Sequence, residues 1–332
     1  MHAVTYSSSP GTYILAGSSD RSIRLYNPNS TAQGTGPVPE GRLIQTYSAH
    51  GYEVLSISVS SDNTRFASAG GDRSVFLWDV ATAQTIRRFG SSGHGHTARV
   101  NCVRFGGDAD SVLVSGGFDT SVRIWDVRSN AAKPIQVLTD ARDAVTCLAV
   151  RDAEIVAGSV DGGVRAYDVR MGRCVRDEMG ASVTSLSLTR DGEAMLVGTL
   201  NSKLRLMDRR AGTCLRTFEH PDWRNEGLRV QSLLGAGERY VVAGDELAGG
   251  DAPGSGEGRV WAWDLLSGKI AARIRVPWGP QGYQPRKRVV GRDGKEKAQN
   301  NVISCLAWKE DGWGEQFCVG GSSGVVTVYG QG

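Results

Sequence analysis

Apolar side chains recur along the chain in short runs. In VFLWD, residues 75–79, Val75 and Leu77 point to one side of an extended strand, and Phe76 and Trp78 to the other. Both sides are apolar, which predicts a strand covered on both faces. A second kind of run lies upstream of each such segment: VLSISV, VNCVRF, VTCLAV, VTSLSL and ISCLAW. Turn pairs such as Asp191-Gly192 and Asp311-Gly312 follow these runs and suit hairpins. No stretch sustains the period of a helix. The pattern predicts an all-β chain.

The strands belong to a repeat. GGDRSVFLWDV recurs as GSSDRSIRLYNP, GGFDTSVRIWDV, GSVDGGVRAYDV and GTLNSKLRLMDR, with weaker copies GEGRVWAWDL and GSSGVVTVYG. The aromatic position is held by Tyr26, Trp78, Trp125, Tyr167, Met207, Trp263 and Tyr329. Most intervals are close to the roughly 40–45 residues of a WD-repeat blade. The last two are longer because they carry insertions, at 245–258 and 278–301. Seven copies predict one seven-bladed WD-repeat β-propeller over residues 1–332. AVTYSS aligns with the first strand of blade 1 and VVTVYG with the third strand of blade 7. The final blade is therefore expected to be three-stranded, with an open edge and no strand exchanged between the chain ends.

Composition narrows the reading little. Glycine is high, at 44 of 332 residues, which favours tight turns over long helices. A net charge of +3 sets up no global field that demands nucleic acid or a membrane. No apolar run approaches the ~18 residues of a membrane span. The opening MHAVTYSSSP lacks a secretion-signal pattern, so a soluble intracellular protein is expected.

His50, Ser68 and Asp72 invite comparison with a hydrolase triad, with Trp78 beside them. Blade 3 repeats the set as His96, Ser115, Asp119 and Trp125. An active site occurs once, whereas a hydrogen-bond network that staples each blade recurs. The set is expected to be structural, because buried polar groups hold a fold only as complete networks. Cys102, Cys147 and Cys305 share one inner-strand position with Ser56, Ser185 and Ser232, while Cys174 and Cys214 share an outer-strand position. None has metal-type CxxC spacing, so reduced and mostly buried thiols are expected, with no metal or other cofactor. No lone phosphate loop or unique acid–base pair recommends an enzyme.

Longer segments carry a more specific likeness. HGYEV, LTDARDAVTCLAV and VDGGVRAYDVRMG, within residues 43–210, resemble the mitogen-activated protein kinase organizer family, the WD repeat-containing proteins eighty-three. The likeness is looser in blade 1, and blades 6 and 7 depart from it through their insertions. It implies a non-catalytic scaffold for kinase-cascade components, associated also with the pre-mRNA splicing machinery, in cytoplasm and nucleus. The family has residues upstream of this chain's first, so a late chain start would account for a three-stranded final blade.

A partner surface is expected on the face reached by the second-to-third-strand loops and the inter-blade loops. The residue before the turn aspartate is Ser19 or Gly71 in blades 1 and 2, but Phe118, Val160 and Leu200 in blades 3 to 5. Consecutive apolar residues there suggest a docking site, with Arg99, Arg142, Asp143, Trp223 and Arg224 in neighbouring loops. The alternative is that these side chains fold down over the rim. A second function class, contact with RNA or a ribonucleoprotein, rests on PRKRVVGRDGKEK: Arg286, Lys287, Arg288, Arg292, Lys295 and Lys297 against Asp293 and Glu296. The acidic insertion carries Asp245, Glu246, Asp251 and Glu257 and is expected to emerge beside this stretch and screen it.

Overall fold

Val54–Val59, Arg65–Gly70, Val75–Asp79 and Thr85–Phe89 pair in sequence order, each antiparallel to the last. This is blade 2. The computed structural model describes residues 1–31, 40–91, 93–246, 256–279, 289–290, 296–297, 301–309 and 315–330. Among them the same meander recurs as six four-stranded sheets and a three-stranded one, Ile303–Trp308, Gln316–Gly321 and Val326–Gly330. The three-stranded blade 7 is as expected. The described residues add a small hairpin, Val289–Val290 with Glu296–Lys297, and a single 3-10 turn at Asp108–Asp110.

Register confirms the repeat. Trp78 lies opposite Phe66, Trp125 opposite Leu113, Tyr167 opposite Ile155, and Met207 opposite Met195. Tyr26, Trp263 and Tyr329 take the same place opposite Ile14, Val241 and Phe317. The first strands of successive blades touch around the ring, and Ala3–Tyr6 meets Ile303–Trp308 to close it.

The core is a set of layers between blades. Leu15, Ile23 and Tyr47 of blade 1 pack against Val54, Phe66 and Trp78 of blade 2, all nearly inaccessible. Six further layers follow the same plan around the ring. Burying one such large side chain contributes about 1.5–3 kcal/mol, so stability is spread over all seven seams. At the last seam Met1 joins the layer with Cys305 and Cys318. Its ammonium donates to the Gly321 carbonyl at 2.9 Å, and Ser304 Oγ donates to the Met1 carbonyl at 3.1 Å. No strand is exchanged there among the described residues, yet the seam is bonded.

Gly70 ends the second strand of blade 2 where the incoming loop crosses it. A Cβ at this position would stand 1.9 Å from the Glu53 carbonyl oxygen, which is backbone and cannot swing away. Gly70→Ala is therefore expected to destabilise the fold by about 1–3 kcal/mol in urea unfolding, the usual scale of forced overpacking. Wild-type stability in that variant would show that the loop does not press on the strand.

Candidate functional site

The residues that look catalytic form a chain of bonds inside blades 2 and 3. Trp78 Nε1 donates to Ser68 Oγ at 2.8 Å, Ser68 Oγ meets His50 Nε2 at 2.7 Å, and His50 Nδ1 meets an Asp72 oxygen at 2.5 Å. A carboxylate has no proton to give, so Nδ1–H is the donor. The other Asp72 oxygen accepts from the Gly51 backbone N–H at 2.8 Å. Blade 3 repeats this with Trp125, Ser115, His96, Asp119 and the Thr97 N–H. The serines and histidines are buried. The hydrogen-bonding groups of the chain are used within the blade. Burial opposes the charge on Asp72 and Asp119, but the bonds from histidine and loop N–H outweigh it and hold both carboxyls below the usual carboxylate range.

Blades 4 and 6 keep the aspartate and change its partner. In blade 4 the histidine's place is held by Ala141, and buried Arg165 bonds Asp161 at 2.6 Å and Ser159 at 2.8 Å. The Arg142 N–H still closes the loop onto Asp161 at 2.9 Å. In blade 5 Asn201 replaces the aspartate and accepts from Thr199. Blade 6 uses Asp245, fully buried, which accepts from Trp261 Nε1 and the Arg224 N–H. The residue before Arg224 then falls in the histidine slot, and it is Trp223. Its side chain is 1% exposed, packs against Trp263, and donates to the Gly244 carbonyl at 2.7 Å. Trp223 is therefore not displayed, contrary to the expectation from its loop position. Trp263 Nε1 is buried without a partner, because Ala243 stands where blades 2 and 3 carry Ser68 and Ser115.

The loop-bearing face divides the remaining candidates. Phe118 is 52% exposed, and the Arg99 guanidinium lies 4.9 Å from its ring centroid. Val160 and Leu200 are half-buried, although all three residues make the same backbone tie, their N–H groups donating to the Arg99, Ala144 and Ser182 carbonyls of the inter-blade loops. Of the expected apolar run, Phe118 is the most exposed. Arg142, Asp143 and Arg224 are exposed. Two apolar residues overlooked in the pattern join this face. Tyr52, 60% exposed, packs its Cβ against Gly71, and Leu228 is 51% exposed beside Arg99 at the mouth of the central channel. HGYEV contained the signal for Tyr52; Leu228 had none in its spacing. Leu228 is held by Glu246, whose carboxylate accepts from the N–H groups of Glu226, Gly227 and Leu228.

Arg286, Lys287, Arg288, Arg292 and Lys295 lie outside the described residues, as do Asp251 and Asp293; Lys297 and Glu296 belong to the small hairpin. The screening role expected of the acidic insertion loses two of its acids: Asp245 and Glu246 are taken up by their own blade. Among the described residues, no group of three or more histidine, cysteine or acidic side chains is placed to hold a metal ion, and no helix is long and apolar enough to cross a membrane. Cys102, Cys147, Cys305 and Cys318 are buried free thiols, while Cys174 and Cys214 are exposed.

The WD domain, G-beta repeat family matches residues 2–27, 41–79 and 86–126. The chain is 40% identical over 266 residues to WD repeat domain-containing protein 83 of Rattus norvegicus, covering 80% of this chain and 76% of that protein. Against its namesake in Homo sapiens it is 40% identical over 269 residues, covering 81% and 77%. A homolog of that protein in Dictyostelium discoideum is 28% identical over 294 residues, covering 80% and 82%.

Two outcomes follow from the blade networks. Asp72→Ala and Asp119→Ala each orphan a histidine and a loop N–H and should lower unfolding free energy by about 1–3 kcal/mol. Both carboxyls titrate lower in the folded state, so their contribution is present above pH ~4 and disappears as pH falls below it. Urea titrations at neutral pH and at a series of acid pH values from about 4 down to about 2 should show the gap between wild type and variants narrowing progressively as pH falls. In blade 6, Ala243→Ser supplies the missing acceptor for Trp263 and should stabilise by about 0.5–1.5 kcal/mol. A lower melting temperature would show that the hydroxyl does not reach the indole.

Proposed function

The chain belongs to the WD repeat domain-containing protein 83 family, and on that footing we propose that it is a non-catalytic scaffold for other proteins. Family and propeller fold together imply an interaction scaffold. The finer reading is that it gathers components of a mitogen-activated protein kinase cascade and associates with the pre-mRNA splicing machinery, in cytoplasm and nucleus. One observation supports the site best: the exposed Phe118 ring with the Arg99 guanidinium stacked on it, at the rim of the channel mouth. Tyr52 and Leu228 extend the same face. Aromatic and arginine side chains held this way dominate binding energy, because they bury large area at little entropic cost. The histidines and aspartates that would do chemistry are committed to holding blades 2 and 3 together.

Affinity purification from native extract, followed by mass spectrometry, tests this reading with wild type beside Tyr52→Ala/Phe118→Ala. Kinase-cascade or spliceosomal proteins are expected with wild type. The double variant should melt as wild type does and recover those partners at least about tenfold less, the scale of two lost anchors. Undiminished recovery by the folded variant would move the partner site elsewhere.

A further inference from the structure

Three arginines line the central channel, with no acid among the described residues. Its lower chamber, about 400 Å³, is walled by the inner strands and lined by Arg104 and Arg229 among serine, threonine and apolar residues. Its upper chamber, about 530 Å³, opens on the loop-bearing face and is lined by Arg99 and Arg229. No aspartate or glutamate lines either chamber among the described residues. Arg229 enters from the loop before blade 6, and its Nη1 donates to the Asn101 carbonyl of blade 3 at 2.9 Å. It is a bar across the channel between the chambers. Its Nε is buried without a partner. Arg104 Nη1 donates to its neighbour Val103's carbonyl at 2.9 Å and lies 3.5 Å from Ser56 Oγ.

Neither Arg104 nor Arg229 forms an ion pair with a described carboxylate. The closest candidates for negative charge are thiols, and burial keeps them neutral: Cys102 is pushed up to about 12 and Cys147 is also raised. Burial, aided by the Arg229 charge, lowers the pKa of Arg104, as expected for a cation short of counter-charge. Elsewhere the chain pairs its buried arginine: Arg165 meets Asp161. Arg104 and Arg229 are half-buried along the channel wall; a partly desolvated charge without counter-charge is costly, and a bound anion offsets that cost.

We propose that the channel binds a small phosphate dianion, either inorganic phosphate or the phosphoryl group of a soluble ester. Two guanidiniums balance a dianion, whereas a carboxylate would cancel one. Guanidinium forks match phosphate oxygens in pairs. The wall adds hydroxyls: Ser56 and Ser58, whose oxygens accept from the Val103 and Phe105 N–H groups and leave their protons to donate, and the Ser185–Ser232 pair, bonded to each other, line the lower chamber with the Gln231 amide. Gln231 already uses its oxygen to accept from the Leu306 N–H, which turns its NH₂ to the free side. The Arg104–Arg229 pair lies below the Phe118 face and shares with it only the channel mouth at Arg99 and Leu228, so phosphate binding and partner capture are read by different variants.

The test is a thermal-shift and calorimetric titration of the full chain at pH ~7.5, where phosphate is mainly dianionic. Potassium phosphate, glycerol 2-phosphate, acetate and chloride are compared at equal ionic strength. Phosphate or glycerol 2-phosphate should raise the melting temperature with concentration and acetate should not, because a ligand that binds only the folded state stabilises it by mass action. The tighter of the two phosphates tells whether the free ion or an ester is preferred. Arg104→Met and Arg229→Met should each weaken binding about tenfold or more, the loss expected for a charge-assisted contact. Arg104→Met should melt no lower than wild type without phosphate, which separates lost binding from lost folding. Arg104→Lys, which keeps the charge, should retain part of the affinity. Equal shifts with phosphate and chloride would overturn the proposal, and so would a phosphate shift that persists in full in both Met variants.

Discussion

Each blade presents two apolar faces, and neither can remain in water. Trp78 and Phe66 face blade 1 while Leu77 and Val75 face blade 3, so blade 2 is stable only between its neighbours. The same holds at every position, and the requirement is met only when the last blade covers the first. Met1, Val4 and Ile14 do this against Cys305 and Cys318. Closure therefore belongs to the ring as a whole. Twist accumulates between sheets and turns a row of blades into a circle.

Polar networks work within that frame. The layers fix which blades touch, and the Trp–Ser–His–Asp chain fixes how the incoming loop sits on its own blade. It ends in an aspartate that grips a loop N–H, at Gly51, Thr97, Arg142 and Arg224. That grip survives changes in the rest of the chain, from histidine to arginine in blade 4 and to a tryptophan pair in blade 6. What the loops display varies, while their anchoring does not. A rigid rim with Phe118, Arg99 and Tyr52 on it is the result. Anchors that are already ordered lose little entropy on binding.

The ring also encloses a space no single blade defines. Arg104 from blade 3 and Arg229 from the loop before blade 6 meet there because inner strands from the whole ring converge on one axis. The rim and the channel join at the mouth, where Arg99 takes part in both. An occupant of the channel would lie below any protein docked on the rim.

Local chemistry was legible in the chain by itself. Alternation in VFLWD, the turn pairs and the recurring aspartate follow from backbone geometry over a few residues, and they led to seven blades with three strands in the last. Repetition of His50, Ser68 and Asp72 as His96, Ser115 and Asp119 marked those residues as structural. The site was harder to read. Trp223 sits in a loop by sequence, yet it fills the histidine slot, because slot occupancy depends on which group best fits the space between Val241 and Trp261. Val160 and Leu200 share a repeat position and a backbone tie with Phe118 but are half-buried where it is exposed, a difference their spacing does not encode. Arg104 and Arg229 lie far apart along the chain, and no pattern of period two links them. Periodicity reports what a residue's own strand does. Only closure of the ring decided which side chains share an axis, a seam or a rim.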